Sequence, residues 1–248
     1  MAEPAMDLLL GGRLKLFQSP TGHRAGTDAV LLAAAAGAPE GPFVDVGAGV
    51  GTAGLILAWR WPGARGLLLE ADPDTAELAR RNCAANGLGE RVAVATGNLF
   101  ARGDARPPAL RPEAATLVIT NPPFFRAAAV RASPHGGRAA AHVLAGHDHG
   151  DWLAAAAALL APKGRLVMIH RPDALDALLA ACGGRLGGIA LRPVLPRQGA
   201  DAIRILLAGT KGSRAPLRIA APLVLHGPDG AFTPEAEAVH RGDAVVPL

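Results

Sequence analysis

Tyrosine is absent from the 248 residues, and lysine is scarce: only three of the 25 basic side chains are lysine. The lack of tyrosine excludes mechanisms that use a phenol as acid, base or nucleophile. The two cysteines, Cys83 and Cys182, lie far apart and lack the paired spacing of a redox or zinc motif. We therefore expect two reduced thiols within helices, and neither a disulfide framework nor a cysteine-bound metal.

Long apolar runs are also missing. The longest, residues 29–39 and 152–162, are shorter than the roughly 20 residues that cross a bilayer. The first ten residues contain Glu3 and Asp7 and no basic segment, which is unlike a secretory signal. We expect a cytoplasmic protein with no membrane partner.

Charge is modest, with 25 basic against 21 acidic residues and a formal net charge of +4. This balance permits a nucleic-acid partner but does not require one. Apolar residues make up 50% and charged residues 19% of the chain, which is typical of a globular protein. The length is sufficient for a domain with a substantial core.

Strand-like and helix-like segments alternate from residue 43 onward. Strands are predicted at 14–17, 43–46, 66–70, 91–96, 116–120, 165–170, 191–196 and 203–208. Helices are predicted at 28–36, 52–59, 73–86, 151–160 and 173–182. This alternation indicates an α/β fold with a parallel sheet covered on both faces, and the last two strands form an antiparallel hairpin at one edge.

The domain organisation expected from this pattern is a single domain over residues 1–248. A lead-in strand and helix occupy residues 1–40, the core sheet residues 41–210, and a C-terminal extension residues 211–248.

Residues 44–52, Val-Asp-Val-Gly-Ala-Gly-Val-Gly-Thr, join a strand to the next helix. Gly47, Gly49 and Gly51 would let a ligand approach the backbone at the helix N-terminus. The third glycine comes one position too early for the dinucleotide fingerprint. Asp45 would also oppose a pyrophosphate. The motif suits a cationic ligand without phosphates, and S-adenosylmethionine, with its ammonium and sulfonium groups, is such a ligand.

The next two strand ends carry polar side chains. Glu70 follows Asp45 by 25 residues and can accept hydrogen bonds from both hydroxyls of a ribose. Asp72 competes for this role, but its place directly before Pro73 favours a helix N-cap. Asn98 ends the third strand and can accept the adenine amino group through its side-chain oxygen, without the charge of the acid that many adenosine-binding sheets place there.

Residues 121–124, Asn-Pro-Pro-Phe, follow the apolar fourth strand. The Asn121 side-chain oxygen and the Pro122 carbonyl can each accept one N–H of an amine attached to a planar ring, which directs the nitrogen lone pair at the methyl group. We therefore assign Asn121 to the cofactor site as well. Phe124 would stack on the ring and hold it flat. This chemistry requires no metal and no covalent intermediate.

The glycine motif, Glu70 and residues 121–124 together resemble class I S-adenosylmethionine-dependent methyltransferases that methylate amines. More narrowly, the chain resembles the bacterial tRNA-valine adenine-37 N6-methyltransferase family through residues 26–32, 121–125 and 223–230. The last segment, Leu-Val-Leu-His-Gly-Pro-Asp-Gly, lies outside the general methyltransferase core and is the more discriminating match. The resemblance implies a seven-stranded Rossmann-like sheet, S-adenosylmethionine as cofactor, and adenine N6 in the anticodon loop of a tRNA as target.

The resemblance also implies that Thr27 and Asp28 border the cofactor pocket. Phe124 and Phe125, which we assign to substrate binding, replace residues that are often tyrosine in the family; stacking is kept and a hydroxyl is lost. Asn98 stands where the family often has aspartate.

Basic side chains suggest where RNA would be held. Arg126, Arg131 and Arg138 follow the Asn-Pro-Pro-Phe motif and could contact phosphates beside a flipped base, with a solvated loop as the alternative. Lys211, after the last strand, could reach the RNA backbone or belong to a charged turn.

His147 and His149 are candidate metal ligands by residue type. Histidines two residues apart diverge in a strand and do not share a helix face. Polar residues at a helix start are the better interpretation, and no metal is predicted.

Other functions share parts of this pattern. Enzymes that methylate glutamine amides on proteins also use Asn-Pro-Pro-aromatic; the release-factor type has a preceding helical domain, for which the 27 residues before Asp28 are too few, but a smaller protein-amide methyltransferase stays open. Guanine-N2 rRNA methyltransferases often have histidine where this chain has Phe125. DNA methyltransferases of the restriction type add a recognition domain, for which there is little room. A non-catalytic RNA-binding protein would not need Asp45, Glu70 and Asn121.

Overall fold

The structure, a computed structural model, describes residues 4–19, 26–122 and 146–248. The strands in these ranges are β1 (Ala5–Leu9), β2 (Leu14–Gln18), β3 (Phe43–Val46), β4 (Gly66–Glu70), β5 (Val92–Thr96), β6 (Ala115–Thr120), β7 (Leu160–His170), β8 (Leu186–Arg197), β9 (Arg204–Lys211), β10 (Arg218–Ile219) and β11 (Leu223–His226). The α-helices are α1 (Thr27–Ala36), α2 (Thr52–Arg60), α3 (Pro73–Ala85), α4 (His149–Leu159), α5 (Leu175–Cys182) and α6 (Pro234–His240).

The main sheet has the order β10-β8-β9-β7-β6-β3-β4-β5, and β11 also pairs with β8. Strands β3 to β7 run parallel, β9 is antiparallel to β7, and β8 is antiparallel to β9. The parallel sheet with a terminal hairpin is thus confirmed. The described part of the sheet has nine strands rather than seven, because the C-terminal segment lays β10 and β11 along the outer edge of β8.

The chain order creates a crevice beside β3. From β3 the chain moves outward through β4 and β5 and then returns to place β6 on the other side of β3. Ligands of open α/β sheets bind at such a switch point, outside the carboxyl ends of the strands. Gly47 follows one of these two strand ends, and Asn121 follows the other.

Helices cover both faces of the sheet, as the alternation predicted. Leu68, Leu117 and Ile119 belong to the apolar cluster that contains α1 and α2, whereas their neighbours Leu69 and Val118 belong to the cluster that contains α4 and α5. Successive strand residues point to opposite faces, so each strand contributes to both cores.

Some element boundaries differ from the prediction. Strand β7 begins at Leu160 rather than 165, and β8 begins at Leu186 rather than 191. Glycines obscured the start of β8, where the pairing register shifts between Gly187 and Ala190. Helix α4 begins at His149 rather than 151, because Asp148 is its N-cap and forms a capping box with Asp151.

An additional hairpin, β1–β2, forms a separate two-stranded sheet. Strand β1 was not predicted, because its outward side chains, Met6 and Leu8, are apolar and 52% and 58% exposed, which removes the polar alternation that marks a half-buried strand.

Helix α3 and its C-cap residue support this hairpin through two asparagines. Asn82 exchanges hydrogen bonds with the backbone N–H and C=O of Phe17, and Asn86 does the same with Lys15. The hairpin is therefore held to the main body by side-chain amides as well as by apolar contacts.

Cys83 in α3 and Cys182 in α5 are buried and free, as expected, and burial raises the pKa of each thiol to about 11. In the described ranges, no helix is both long enough and apolar enough to cross a bilayer.

Candidate cofactor and active site

The loop between β3 and α2 contains three glycines in the left-handed region. Gly47, Gly49 and Gly51 have φ angles of 69°, 58° and 90°. A Cβ at Gly51 would lie 2.8 Å from the Leu68 side chain, whereas a Cβ at Gly49 would meet no atom within 4 Å. Gly51 is therefore required by packing as well as by its backbone. Gly49 leaves an open face on the loop, where a ligand can approach the backbone.

Glu70 lies at the end of β4 and connects this loop to the next turn. Its Oε2 accepts a hydrogen bond from the Gly49 N–H at 2.8 Å, and its Oε1 accepts one from the Asp72 N–H at 2.9 Å. A carboxylate has about four acceptor positions, so each oxygen can accept one more hydrogen bond. The carboxylate is fixed by the backbone and can still bind a diol.

Asp72 has the capping role that the sequence favoured. Its Oδ1 accepts hydrogen bonds from the Thr75 N–H at 2.8 Å and the Thr75 hydroxyl at 2.7 Å, and Pro73 occupies the first turn of α3. The N-cap prediction is confirmed.

Asp45 lies beneath the loop and is only 2% exposed. Its Oδ2 accepts a hydrogen bond from the Gly54 N–H in α2 at 2.9 Å. Burial raises the pKa of Asp45 to about 7, the Gly54 hydrogen bond lowers it, and the negative charge of Glu70 raises it. Two carboxyl groups thus repel each other beneath the loop, and a cation bound nearby would relieve this repulsion.

Asn98 follows β5, and its side-chain oxygen accepts a hydrogen bond from the Phe100 N–H at 2.9 Å. The atom expected to accept the adenine amino group therefore also holds the local turn, which leaves it one further acceptor position. The Phe100 ring stacks on His147 with centroids 3.6 Å apart and an angle of 11°.

Asn121 and Pro122 leave the sheet directly beside the glycine loop. Val46 of β3 and Thr120 of β6 are register partners, so the residues that follow them start from neighbouring strand ends. Asn121 is half-buried and Pro122 is buried. The other residues predicted in this region lie outside the described ranges: Phe124, Phe125, Arg126, Arg131 and Arg138.

Trp152 of α4 is a residue that the sequence interpretation did not select. It is 2% exposed, and its indole N–H donates to the Thr120 hydroxyl at 3.1 Å; that hydroxyl in turn donates to the Val46 carbonyl at 2.8 Å. Its ring also lies 3.4 Å from the position of a Cβ on Gly47 and meets the Phe100 ring edge-on. One side chain thus supports three strand ends of the site. The signal was a single tryptophan in a helix otherwise rich in alanine.

Asn82 was also missed. It is fully buried, and besides its bonds to Phe17 its Nδ2 donates to the Val50 carbonyl of the glycine loop at 2.9 Å. Asparagine is a weak helix former, so its place inside a helix was the signal. This amide joins the N-terminal hairpin to the cofactor loop.

Two further predicted sets lie at different edges of the main sheet, Asp28 at the carboxyl edge and Lys211 at the amino edge. Asp28, at the start of α1, forms an ion pair with Arg204 at 2.8 Å, and the Thr27 hydroxyl is 3.3 Å from Nε2 of His240. Lys211 ends β9 at the opposite, amino edge of the sheet, where it binds Glu113 and the Leu160 carbonyl. The structure does not bring Lys211 to the site, and a substrate contact at this residue has no support from its position.

The histidines before and within α4 make separate contacts. His147 lies 3.4 Å from Asp151, whereas the ring of His149 meets that of His170 edge-on at 5.1 Å. In the described ranges, no group of three or more His, Cys, Asp or Glu side chains is arranged to hold a metal.

Comparisons with known proteins show the family and the fold of the chain. Residues 24–175 match the methyltransferase small domain family. The chain is 32% identical over 243 residues to a tRNA1(Val) (adenine(37)-N6)-methyltransferase of Porphyromonas gingivalis, covering 92% of this chain and 91% of the relative. It is also 32% identical over 216 residues to the protein of that name from Aeromonas hydrophila, covering 85% of each.

A shorter similarity concerns the ribosomal RNA small subunit methyltransferase C of Pseudomonas aeruginosa. It is 35% identical over 98 residues, which is 40% of this chain and 26% of that protein. Among solved structures, a crystal structure described as a predicted O-methyltransferase from Agrobacterium tumefaciens has a TM-score of 0.73 at 33% identity, covering 89% of this chain and 99% of the other. The fold is that of the class I methyltransferases.

Proposed function

Because the chain belongs to the methyltransferase small domain family, whose members depend on S-adenosylmethionine, we propose that it methylates N6 of an adenine in tRNA, at position 37 of a valine tRNA. The enzyme class and the cofactor follow from the family. The nucleotide and the atom that receive the methyl group are the proposal, taken from relatives that align with 92% and 85% of the chain.

One observation carries this proposal. Asn121 and Pro122 leave β6 beside the glycine loop that leaves β3, at the switch point of the sheet. A loop for the cofactor and a pair of acceptors for an amine therefore start from neighbouring strands. This is the arrangement needed to bring a nitrogen lone pair to a methyl donor.

The residues around the glycine loop fit the cofactor. The open face at Gly49 admits the methionine end, and the negative charge of Asp45 and Glu70 favours a cationic ligand. Glu70 is held with spare acceptor positions for the ribose hydroxyls. Asn98 is assigned to the adenine, and Thr27 and Asp28 to the border of the pocket.

The target amine is positioned by acceptors. We assign one N–H of the exocyclic amine to the Asn121 side-chain oxygen and the other to the Pro122 carbonyl. Accepting both protons turns the nitrogen lone pair out of conjugation and toward the methyl carbon. S-adenosylmethionine supplies the methyl group when bound. The surplus proton of the methylated nitrogen passes to solvent.

The remaining substrate residues follow from the sequence. Phe124 and Phe125 are assigned to stacking on the base, and Arg126, Arg131 and Arg138 to the phosphates that flank it. We propose that residues 1–248 form one catalytic domain that acts on a cytoplasmic tRNA.

The test is a methyl-transfer assay. Purified protein and labelled S-adenosylmethionine are incubated with bulk tRNA and, separately, with a protein extract and with ribosomal RNA, all from a strain that lacks the gene. Asn121→Ala protein serves as the control for contaminating activity. Label recovered as N6-methyladenosine from a valine tRNA is the expected result. Label in glutamine of protein, or in N2-methylguanine of ribosomal RNA, would move the function to one of those two alternatives.

A further inference from the structure

We infer that the C-terminal motif at residues 223–230 builds a second RNA-binding site, at the carboxyl edge of the main sheet beside the active site. The site consists of Arg197, His226, Phe232 and His240, which we name the C-terminal shelf. Its ligand is the single-stranded RNA that flanks the methylated nucleotide. This inference rests on the proposed RNA substrate and extends it to a surface outside the methyltransferase core.

The strand directions place the shelf at the carboxyl edge of the main sheet. Ile205 of β9 pairs with His170, the last residue of β7, so β9 begins at the carboxyl edge of the sheet. Strand β8 is antiparallel to β9 and therefore ends at that edge, where Arg197 is the register partner of His226 in β11. The shelf lies at the same edge as Asn121. Four strand spacings of about 4.8 Å separate β6 from β11, or about 19 Å, a distance that a short stretch of RNA spans.

Three aromatic rings of the shelf, those of His226, Phe232 and His240, are stacked. Phe232 stacks on His226 with centroids 4.8 Å apart and an angle of 14°, and on His240 with centroids 4.2 Å apart and an angle of 21°. The Phe232 side chain is nevertheless 37% exposed. Because both faces of the Phe232 ring are covered by histidines, the part of this three-ring stack that reaches solvent is its edge. Unpaired RNA bases bind aromatic clusters by edge contacts as well as by stacking.

The turn that carries Phe232 is held by backbone and side-chain hydrogen bonds. A backbone bridge joins His226 to Phe232, and the Gly227 N–H donates to the Ala231 carbonyl at 2.9 Å. The Thr233 hydroxyl donates to the Val224 carbonyl at 2.8 Å and also caps α6. These hydrogen bonds hold Phe232 in a defined turn in which its ring stays partly exposed.

Arg197 gives the shelf a positive charge. Arg197 is exposed, and it makes no ion pair or side-chain hydrogen bond with any residue in the described ranges. Arg204, at the same edge, is already paired with Asp28. The Asp229 carboxylate, whose charge opposes a phosphate, lies in the turn at 227–230 and accepts the Ala231 N–H at 3.1 Å. Arg197 is therefore the cation of this surface that is available to a phosphate.

The shelf is also connected to the cofactor side. Nε2 of His240 lies 3.3 Å from the Thr27 hydroxyl, and Thr27 begins α1 next to Asp28. RNA bound on the shelf would thus lie against the element that the family resemblance places at the border of the cofactor pocket.

The experiment compares variants on two substrates, an unmodified valine tRNA transcript and a five-nucleotide RNA centred on adenine, which is too short to reach the shelf. Arg197→Ala should raise the KM for the transcript roughly threefold or more and lower the slope of log affinity against log salt by about one. Phe232→Leu should raise the same KM roughly fivefold or more. Neither variant should change the KM for the pentanucleotide or the Kd for S-adenosylmethionine.

Arg111→Ala is the matched control, because Arg111 is an exposed arginine next to the amino edge of the sheet. If Arg197→Ala and Arg111→Ala give the same KM for the transcript and the same salt slope, the shelf does not bind RNA, although the proposed function stands. If wild-type protein methylates neither RNA, the proposed function itself fails and the shelf proposal fails with it. Arg197→Ala removes only an exposed side chain, so its result does not depend on Phe232→Leu folding normally.

Discussion

The indole N–H of Trp152 and the hydroxyl of Thr120 form a buried hydrogen bond of 3.1 Å directly before the Asn-Pro-Pro-Phe segment. The same hydroxyl donates to the carbonyl of Val46, immediately before the glycine loop. Helix α4, the end of β6 and the end of β3 are therefore joined by a relay of two side chains. Neither of them is expected to touch the cofactor or the substrate.

This relay predicts a positioning effect for Trp152. Trp152→Phe removes the donor and keeps most of the apolar contact, and we expect kcat to fall about tenfold while the KM for RNA changes little. The protein should also lose roughly 1–3 kcal/mol of stability. A double-mutant cycle with Thr120→Val, read on kcat and on the free energy of unfolding, checks the coupling. Additive effects on kcat would show that the relay plays no part in catalysis.

A second prediction concerns the target amine. Asn121→Ala removes one of the two proposed acceptors, and loss of such an oriented group costs roughly a hundred- to a thousandfold in kcat. The Kd for S-adenosylmethionine, measured by calorimetry, should stay within a few fold of the wild-type value. Near-normal turnover by this variant would falsify the proposed role of Asn121.

A third prediction separates Glu70 from Asp72. Glu70→Gln should weaken S-adenosylmethionine binding by about tenfold or more, because it removes the charge and two of the acceptor positions at the ribose. Asp72→Asn is the matched control, since the side chain of Asp72 caps α3. If Asp72→Asn is the variant that loses cofactor affinity, the ribose contact belongs to Asp72.

The three glycines give a fourth prediction. Gly49→Ala strains a left-handed φ at a cost of about 1–2 kcal/mol, but its new methyl group enters open space. Gly51→Ala has the same strain and also brings a Cβ to 2.8 Å from Leu68. We therefore expect Gly49→Ala to fold and to bind S-adenosylmethionine poorly, and Gly51→Ala to lower the melting temperature much further. Equal melting temperatures would contradict the packing argument.

The fifth prediction is a pH dependence of stability. The pKa of Asp45 is raised from 3.8 in the unfolded chain to about 7 in the folded protein, mainly by burial. The unfolded state therefore releases this proton first as pH rises. The free energy of unfolding is therefore highest, as far as Asp45 is concerned, below about pH 4, where the carboxyl is protonated in both states. It falls by about 4 kcal/mol as pH rises from 4 to 7, because the pKa shift is about three units.

Asp45→Asn tests this directly. The amide can still accept the Gly54 N–H bond and does not titrate, so the slope of unfolding free energy against pH should decrease between pH 4 and 7. Urea titrations at several pH values measure this slope. Asp45→Asn protein should also bind S-adenosylmethionine more weakly at pH 8, since the charge that favours a cationic ligand is gone. An unchanged slope would show that Asp45 is not the titrating group.

The sequence was sufficient for elements whose pattern is local. The strand at 66–70 and the cap at Asp72 were predictable, because an apolar run and an Asp-Pro pair are signals that lie within the elements they predict. Strands β10 and β11 could not be placed, since their pairing with β8 depends on contacts between distant segments. The same reason explains Lys211: without the direction of β9, nothing in the sequence shows which edge of the sheet it occupies.

Within the proposed site, the sequence indicated residues whose side chains can carry chemistry, and it did not indicate the residues that support them. Asp45, Glu70 and Asn121 follow apolar strands, where a carboxylate or an amide is conspicuous. Trp152 and Asn82 act through distances that only the folded chain creates. The engagement of Asn98 by the Phe100 N–H likewise depends on the geometry of a turn.

The two asparagines in α3 and at its C-cap protect the hairpin from pairing with other chains. Asn82 and Asn86 are one helical turn apart, about 6 Å along the axis, and they engage Phe17 and Lys15, two residues apart on a strand, about 6.7 Å. The spacing of the two amides thus matches that of the backbone groups that β2 would otherwise offer to another strand. An exposed strand edge invites pairing between chains and aggregation, and on this side of the hairpin the helix has already occupied that edge.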